Sequence, residues 1–319
     1  MSTLAPRGLK GSYWVTARQY RRTLKAAGAL VLLALAVVCA LRVWDAQYPD
    51  VSEGNGFWRV DDDNRGYELL RLTMEYGSAY LVALPLLVGA LVAGPLIARE
   101  YESGTYRLSL TQSVSPTHWL RAKVLTATAA SLALTLALMG VFRIGWGRVS
   151  GTYQFGWADR GPYEATGIVL LAYVLAAVAV GTLVGQLVRR TLPAMAVTGL
   201  VMGVVVAVLG TLRWDFLPVR TLTGPMNLTT GPLPTPDNGL MMDTGLITRD
   251  GRRIPEWSCF DAGKTAQQCL DAKGVTGQYV DYHPDWHFWP TQLVESALLL
   301  ALAALALLAA FRLLRARLP

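Results

Sequence analysis

Six runs of about 20 residues carry no charged side chain, and they constrain this chain more than any other feature. They are Ala26–Leu41, Gly77–Ala98, Val124–Phe142, Ile168–Val188, Thr191–Leu212 and Ser296–Phe311, the last extended at its start by Trp289 to Glu295. A hydrocarbon core about 30 Å thick needs roughly 20 apolar residues of helix to cross it. Most runs end on a cation that can reach outward to the interface: Lys25 and Arg42, Arg99, Lys123 and Arg143, Arg189 and Arg190. Composition agrees, with 53% apolar and only 16% charged residues in 319, against about 25% charged in a soluble domain. A disordered chain is excluded, and a soluble enzyme is disfavoured.

Orientation follows from the basic residues. The N-terminus, residues 99–123, residues 189–190 and the C-terminus hold 15 basic and two acidic residues. The alternate segments 42–76, 143–167 and 213–295 hold 14 basic and 20 acidic. The short, +13 set is expected to be cytoplasmic, with both termini, and the long, −6 set external. The net charge of +7 therefore sits at membrane ends and does not call for nucleic acid. The first run has a basic lead like a secretory signal, but the lead is long and no clear small-x-small cleavage site follows. It is read as a retained helix.

The domain reading is 1–25 as a cytoplasmic N-terminus with an interfacial helix, 26–212 as spans one to five with a loop at 99–123, 213–288 as an extracytoplasmic segment, and 289–319 as the last span and tail. Tyr13, Ala17, Tyr20 and Leu24 share one helical face beside Arg18, Arg21, Arg22 and Lys25, which suits a helix lying on anionic lipid. A plain basic anchor explains the same spacing equally well. In the external segment, Asp250-Gly251 between Leu246-Ile247-Thr248 and Ile254 predicts a hairpin turn. Cys259 and Cys269 lie in that segment, where an oxidising compartment favours a disulfide; Cys39 is read as an inert packing thiol in the first span.

Several motifs fail. Ser258 to Thr265 reads S-C-F-D-A-G-K-T but lacks the first glycine of a phosphate-binding loop. His283 and His287 are four apart, yet Pro284 opposes a helix through both, so a metal site is not expected. Asp61-Asp62-Asp63 reads as a solvated acidic loop. No catalytic constellation is visible, and the spans hold almost no ionisable group apart from Glu295 at the edge of the sixth. Such a chain has no energy-coupling site of its own.

The loop after the second span carries the most specific signal. Glu100-Tyr101-Glu102-Ser103-Gly104-Thr105-Tyr106-Arg107-Leu108-Ser109 resembles the first coupling helix of the ABC-2 permease family, E-x-x-x-G-x-Y-R-x-S. Thr111-Gln112-Ser113-Val114-Ser115 with Trp119-Leu120 and Lys123 is similar to a run of bacterial permeases in that family, with Pro116 and His118 in place of two usual basic residues. Tyr282-His283-Pro284, Trp289-Pro290, Gln292 and Glu295 resemble the family's lead into its last span. The expected fold is an all-α polytopic membrane protein: six transmembrane helices, an N-terminal interfacial helix, one cytoplasmic coupling helix and an external segment between helices five and six.

The resemblance implies a non-catalytic half-transporter in a bacterial cell membrane, which exports an unidentified cargo. Two permease chains, identical or related, would form the pathway. Separate cytoplasmic ABC ATPase subunits would bind ATP, leaving this chain with no cofactor. The residues implied in ATPase coupling are Glu100, Tyr101, Glu102, Ser103, Gly104, Thr105, Tyr106 and Arg107. Glu100 and Glu102 would accept bonds from the ATPase, Arg107 would donate, and Tyr101 and Tyr106 would give flat contacts. The alternative is a membrane sensor or scaffold with a ligand-binding external segment; an intramembrane enzyme is disfavoured by the empty spans.

Overall fold

The computed structural model describes residues 21–52, 58–61, 63–106, 115–150, 155–226, 233–259 and 265–317. They divide into two compact units, Met1–Thr211 with Gln292–Pro319, and Leu212–Thr291.

The first unit is a helical bundle. Helix α1 is Arg21–Asp45, α2 Arg65–Leu87, α3 Gly94–Ser103 and α4 Pro116–Val149. Then come a short α5, Arg160–Thr166, followed by α6, Val169–Val188, and α7, Thr191–Leu212. Among the described residues, counting α2 with α3 as one rod and including the last helix, six helices are long and apolar enough to cross a membrane. The spans are thus where the charge-free runs predict them, but the helices outrun those runs. At 1.5 Å per residue, the 34 residues of α4 reach about 51 Å, well beyond the hydrocarbon core. The predicted interfacial helix lies outside the described residues except for its last turn, where Arg21, Arg22, Leu24 and Lys25 are continuous with α1.

Local sequence sets the helix ends. Asn64 accepts the Tyr67 amide at 2.9 Å and opens α2. Ser115 accepts the His118 amide and Pro116 takes the first position of α4, as the Ser115-Pro116 pair predicts. Between α2 and α3 the rod widens into a π-helical turn, Val88–Ala93, closed by a bond from the Gly94 amide to the Gly89 carbonyl. Pro85 lies just before that turn and Pro95 just after it. Pro95 removes a backbone donor and crowds the carbonyl of Leu91 inside that turn, which the wider winding relieves.

That widened turn is gripped by α6 and α7. A Cβ on Gly181 would stand 2.5 Å from the Ala93 Cβ, and one on Gly185 2.9 Å from the Gly94 carbonyl oxygen. A Cβ on Gly89 would stand 3.1 Å from the Thr198 methyl. Small residues let these backbones meet. Helix α6, apolar on all sides, is the most enclosed of the six.

The second unit is a four-stranded antiparallel sheet, so the all-α expectation holds for the spans and is corrected for this segment. Its strands are β3 (Arg220–Pro225), β4 (Leu240–Thr248), β5 (Arg253–Pro255) and β6 (Val275–His283), in the order β3-β6-β4-β5. Two-residue strands β1 (Val51–Ser52) and β2 (Trp58–Arg59) pair separately in the first unit. The expected hairpin joins β4 to β5, with Gly251 at φ 77, a left-handed conformation that favours glycine. Asp281 on β6 ties the sheet across its strands: it accepts from Thr221 on β3 at 2.5 Å and from Arg253 on β5 at 2.8 Å. A disulfide joins Cys259 to Cys269, which lies on α8 (Ala266–Ala272), with Cα atoms 5.5 Å apart.

The last helix, α9, is Phe288–Arg317. Its side chains complete both ends of α6. Gln292 accepts the Val169 amide and donates to the Tyr163 carbonyl, each at 2.8 Å. Arg317 donates to the Gln186 carbonyl at 3.0 Å. These are helix-end groups without intrahelical partners, so a side chain must supply the bond. Glu295 is fully buried and accepts the Tyr173 hydroxyl at 2.6 Å. Glu164 is also fully buried, 3.6 Å from Arg160, so ionisable groups are more frequent inside the first unit than the sequence suggests.

Candidate functional site

The segment expected to couple to an ATPase begins at the end of α3. Glu100 to Ser103 form its last turn, and Gly104 ends it with φ 71 while its amide bonds the Tyr101 carbonyl. Gly104 has open space where a Cβ would go, so glycine is required there by backbone conformation and not by a close neighbour. Thr105 and Tyr106 follow. Arg107 lies outside the described residues.

Glu100 does not face outward, which corrects its expected role as a partner-facing acceptor. It is 9% exposed. One carboxylate oxygen lies 2.5 Å from the Lys123 ammonium and the other accepts the Trp119 indole N–H at 3.1 Å. The pair is drawn inward because Trp119 and Lys123 sit on one face of α4, and a buried charge is stable only with an opposite charge and full hydrogen bonding. Glu100 is a tie between α3 and α4.

Glu102 is exposed, and it accepts both the backbone amide of Thr191 at 2.9 Å and its hydroxyl. Thr191 opens α7, so a carboxylate sits at the positive end of that helix. Tyr101 meets Tyr106 at a tilt, with ring centres 4.9 Å apart, and meets Trp119 edge-on at 6.3 Å. The Arg189 guanidinium lies 5.5 Å from the Tyr101 ring centre. Arg189 itself ends α6 in the left-handed region, at φ 55, an uncommon conformation for a residue other than glycine. The hydroxyls of Ser103 and Thr105 are 2.9 Å apart.

The end of α3 is therefore fastened to α4 through Glu100, to α7 through Glu102 and to the α6–α7 turn through Tyr101. Beside it, Leu91, Pro95, Arg99, Glu102, Ser103, Thr191 and Met195 line a recess of about 420 Å³. Arg189 and Thr191 were not among the expected residues. Their one sequence signal is Thr191 two residues before Pro193, a helix-opening pattern; the acceptor that completes it is 89 positions away.

The other sequence candidates fall elsewhere. His283 and His287 are buried with their Nδ1 atoms 2.8 Å apart. They are held by the end of β6 and a 3-10 turn, not by one helix. Among the described residues no group of three or more potential ligands could hold a metal ion. Asp61 accepts the Asp63 amide at 3.0 Å. Most of the phosphate-loop-like run, residues 260–264, lies outside the described residues.

Residues 27–213, more than half of the chain, match a family model described as ABC-2 membrane transporter related. No curated protein matches the chain.

Proposed function

The chain belongs to the ABC-2 membrane transporter related family, and from that premise we propose that it is the permease subunit of an ATP-driven exporter. Separate ATPase subunits supply the energy from the cytoplasm, and two permease chains complete the pathway. The observation that carries this reading is the triple fastening of the α3 end. A force applied at Ser103–Tyr106 reaches α4 through Glu100, α7 through Glu102 and α6 through Tyr101 and Arg189.

The partner contacts fall to the outward-facing groups of the coupling segment: Glu102, Ser103 and Thr105, with Tyr101 and Tyr106 offering half-buried rings. The π-helical turn between Pro85 and Pro95 is a point in the rod where rewinding is easiest. On closure of the ATPases the α3 end moves, the rod yields at that turn, and the α6–α7 grip on it shifts. ATP stays with the partner, and this chain supplies no catalytic group.

Purification from native membranes in mild detergent tests the reading. A stoichiometric ATPase subunit is expected with the wild-type chain, with stimulated ATP hydrolysis. Its absence, with the chain folded and intact, overturns the reading in favour of a sensor or scaffold.

A further inference from the structure

The helix faces of α4 and α9 converge on a cavity of about 750 Å³ lined by Ser115, Thr117, His118, Arg121, Leu308, Phe311, Arg312 and Arg315. The charges in it are of one sign. Arg121, Arg312 and Arg315 are exposed, and among the described residues no carboxylate pairs with any of them. Three guanidinium groups at one recess repel each other and gain from a shared anion.

Spacing orders the cavity along the membrane normal. Thr117, His118 and Arg121 fall within one helical face of α4. Leu308, Phe311, Arg312 and Arg315 fall within one face of α9, about 10 Å from first to last at 1.5 Å per residue. The two apolar residues of α9 precede the two arginines, so they lie deeper along a span that ends at Arg317. The opening of α4 adds hydroxyls and the positive end of a 34-residue helix. A ligand that fits has a phosphate at one end and an acyl chain at the other.

We propose that this cavity binds an anionic phospholipid, with its headgroup phosphate between Arg121, Arg312 and Arg315 and an acyl chain against Leu308 and Phe311. Basic pockets between membrane helices hold such headgroups. The size suits the group, since sites for small molecules span about 300–1,000 Å³. A bound lipid there bridges the start of α4 to the end of α9 on the membrane face that carries the coupling segment. The inference does not depend on the transport reading.

The test is native mass spectrometry of the purified, delipidated full chain titrated with phosphatidylglycerol, phosphatidylcholine or inorganic phosphate. Three proteins are compared: wild type, the double variant Arg312→Gln/Arg315→Gln, and a control, Arg249→Gln/Arg252→Gln, which removes the same charge from exposed positions in the second unit. Wild type and control should hold phosphatidylglycerol in preference to phosphatidylcholine. The double variant should bind it about 25-fold more weakly, about fivefold for each arginine. Arg121→Gln, on the other helix, should weaken it about fivefold. Equal weakening in the control shows a diffuse basic surface and overturns the site. Equal binding of phosphatidylcholine removes charge recognition and overturns it too. Displacement of the lipid by inorganic phosphate at equal affinity assigns the arginines to a soluble anion and overturns the lipid.

Discussion

The Lys123 ammonium stands 2.5 Å from the Glu100 carboxylate, and both side chains are shielded from solvent. The contact joins the last turn of α3 to the second turn of α4, and the Trp119 indole completes it. Removing one partner leaves a buried charge without compensation, which costs about 3–5 kcal/mol. Lys123→Met is therefore expected to lower the unfolding temperature strongly in detergent. Glu100→Gln/Lys123→Met should recover much of the loss, because both charges are then gone. A double variant as unstable as the single one would mean the pair contributes through packing alone.

Gly104→Val probes the α3 end. A β-branched residue at φ 71 costs about 1–2 kcal/mol of backbone strain, with no clash in the open space around it. Gly104→Asn should be much milder, since Asn visits this region more readily. Partner ATPase stimulation should fall in the order Gly, Asn, Val at constant membrane insertion. Equal stimulation by all three would remove the turn from the coupling path.

Glu102→Ala breaks the exposed tie between α3 and α7, whereas Thr191→Val removes only its hydroxyl bond and keeps the amide one. Unfolding temperature should be nearly unchanged, because exposed pairs contribute little. Transport per ATP hydrolysed should drop more in Glu102→Ala than in Thr191→Val, and no further in the double variant than in Glu102→Ala alone. Additive losses would show that the two residues act separately.

The Cys259–Cys269 bond closes a short loop in the second unit. By loop entropy it stabilises that unit by about 3 kcal/mol. An impermeant thiol reagent applied to intact cells should label these cysteines only after reduction. Labelling without reduction would show free thiols, and no labelling after reduction would place the segment on the inner side.

Burial pushes the His283 imidazole below its ordinary range, and Asp215 opposes this only in part. The folded state thus binds its proton less well than the unfolded chain, so stability is full above about pH 6.5 and falls as pH drops through that value toward the lower folded pKa. Protection factors for amide exchange at β6, which remove the intrinsic pH dependence of exchange, should be lower at pH 5.5 than at 7.5 in the wild type. His283→Gln should flatten much of that difference; an unchanged pH response would assign it to another group.

Some of this was legible in the residues. A charge-free run long enough to cross a bilayer has one good solution, a helix, because backbone groups in lipid must bond within their own segment. Pro116 after Ser115, Gly104 after an acidic turn and Asp250-Gly251 also act locally, and each ends or starts an element where expected. The sheet was less legible. Only its hairpin has a local signal, whereas β3 and β6 pair across more than 50 residues.

The direction of side chains at the end of α3 was not legible at all. Glu100 and Glu102 are alike in type and two positions apart, yet one is buried on α4 and the other caps α7 from the surface. The residues alone placed the six spans and the turn at Gly104, since those follow from solvent and from neighbours within a few residues. Tertiary packing settled which acid turns inward and that Arg121, Arg312 and Arg315 line one cavity, because these depend on which helix faces meet, and that is set by close packing between segments far apart in the chain.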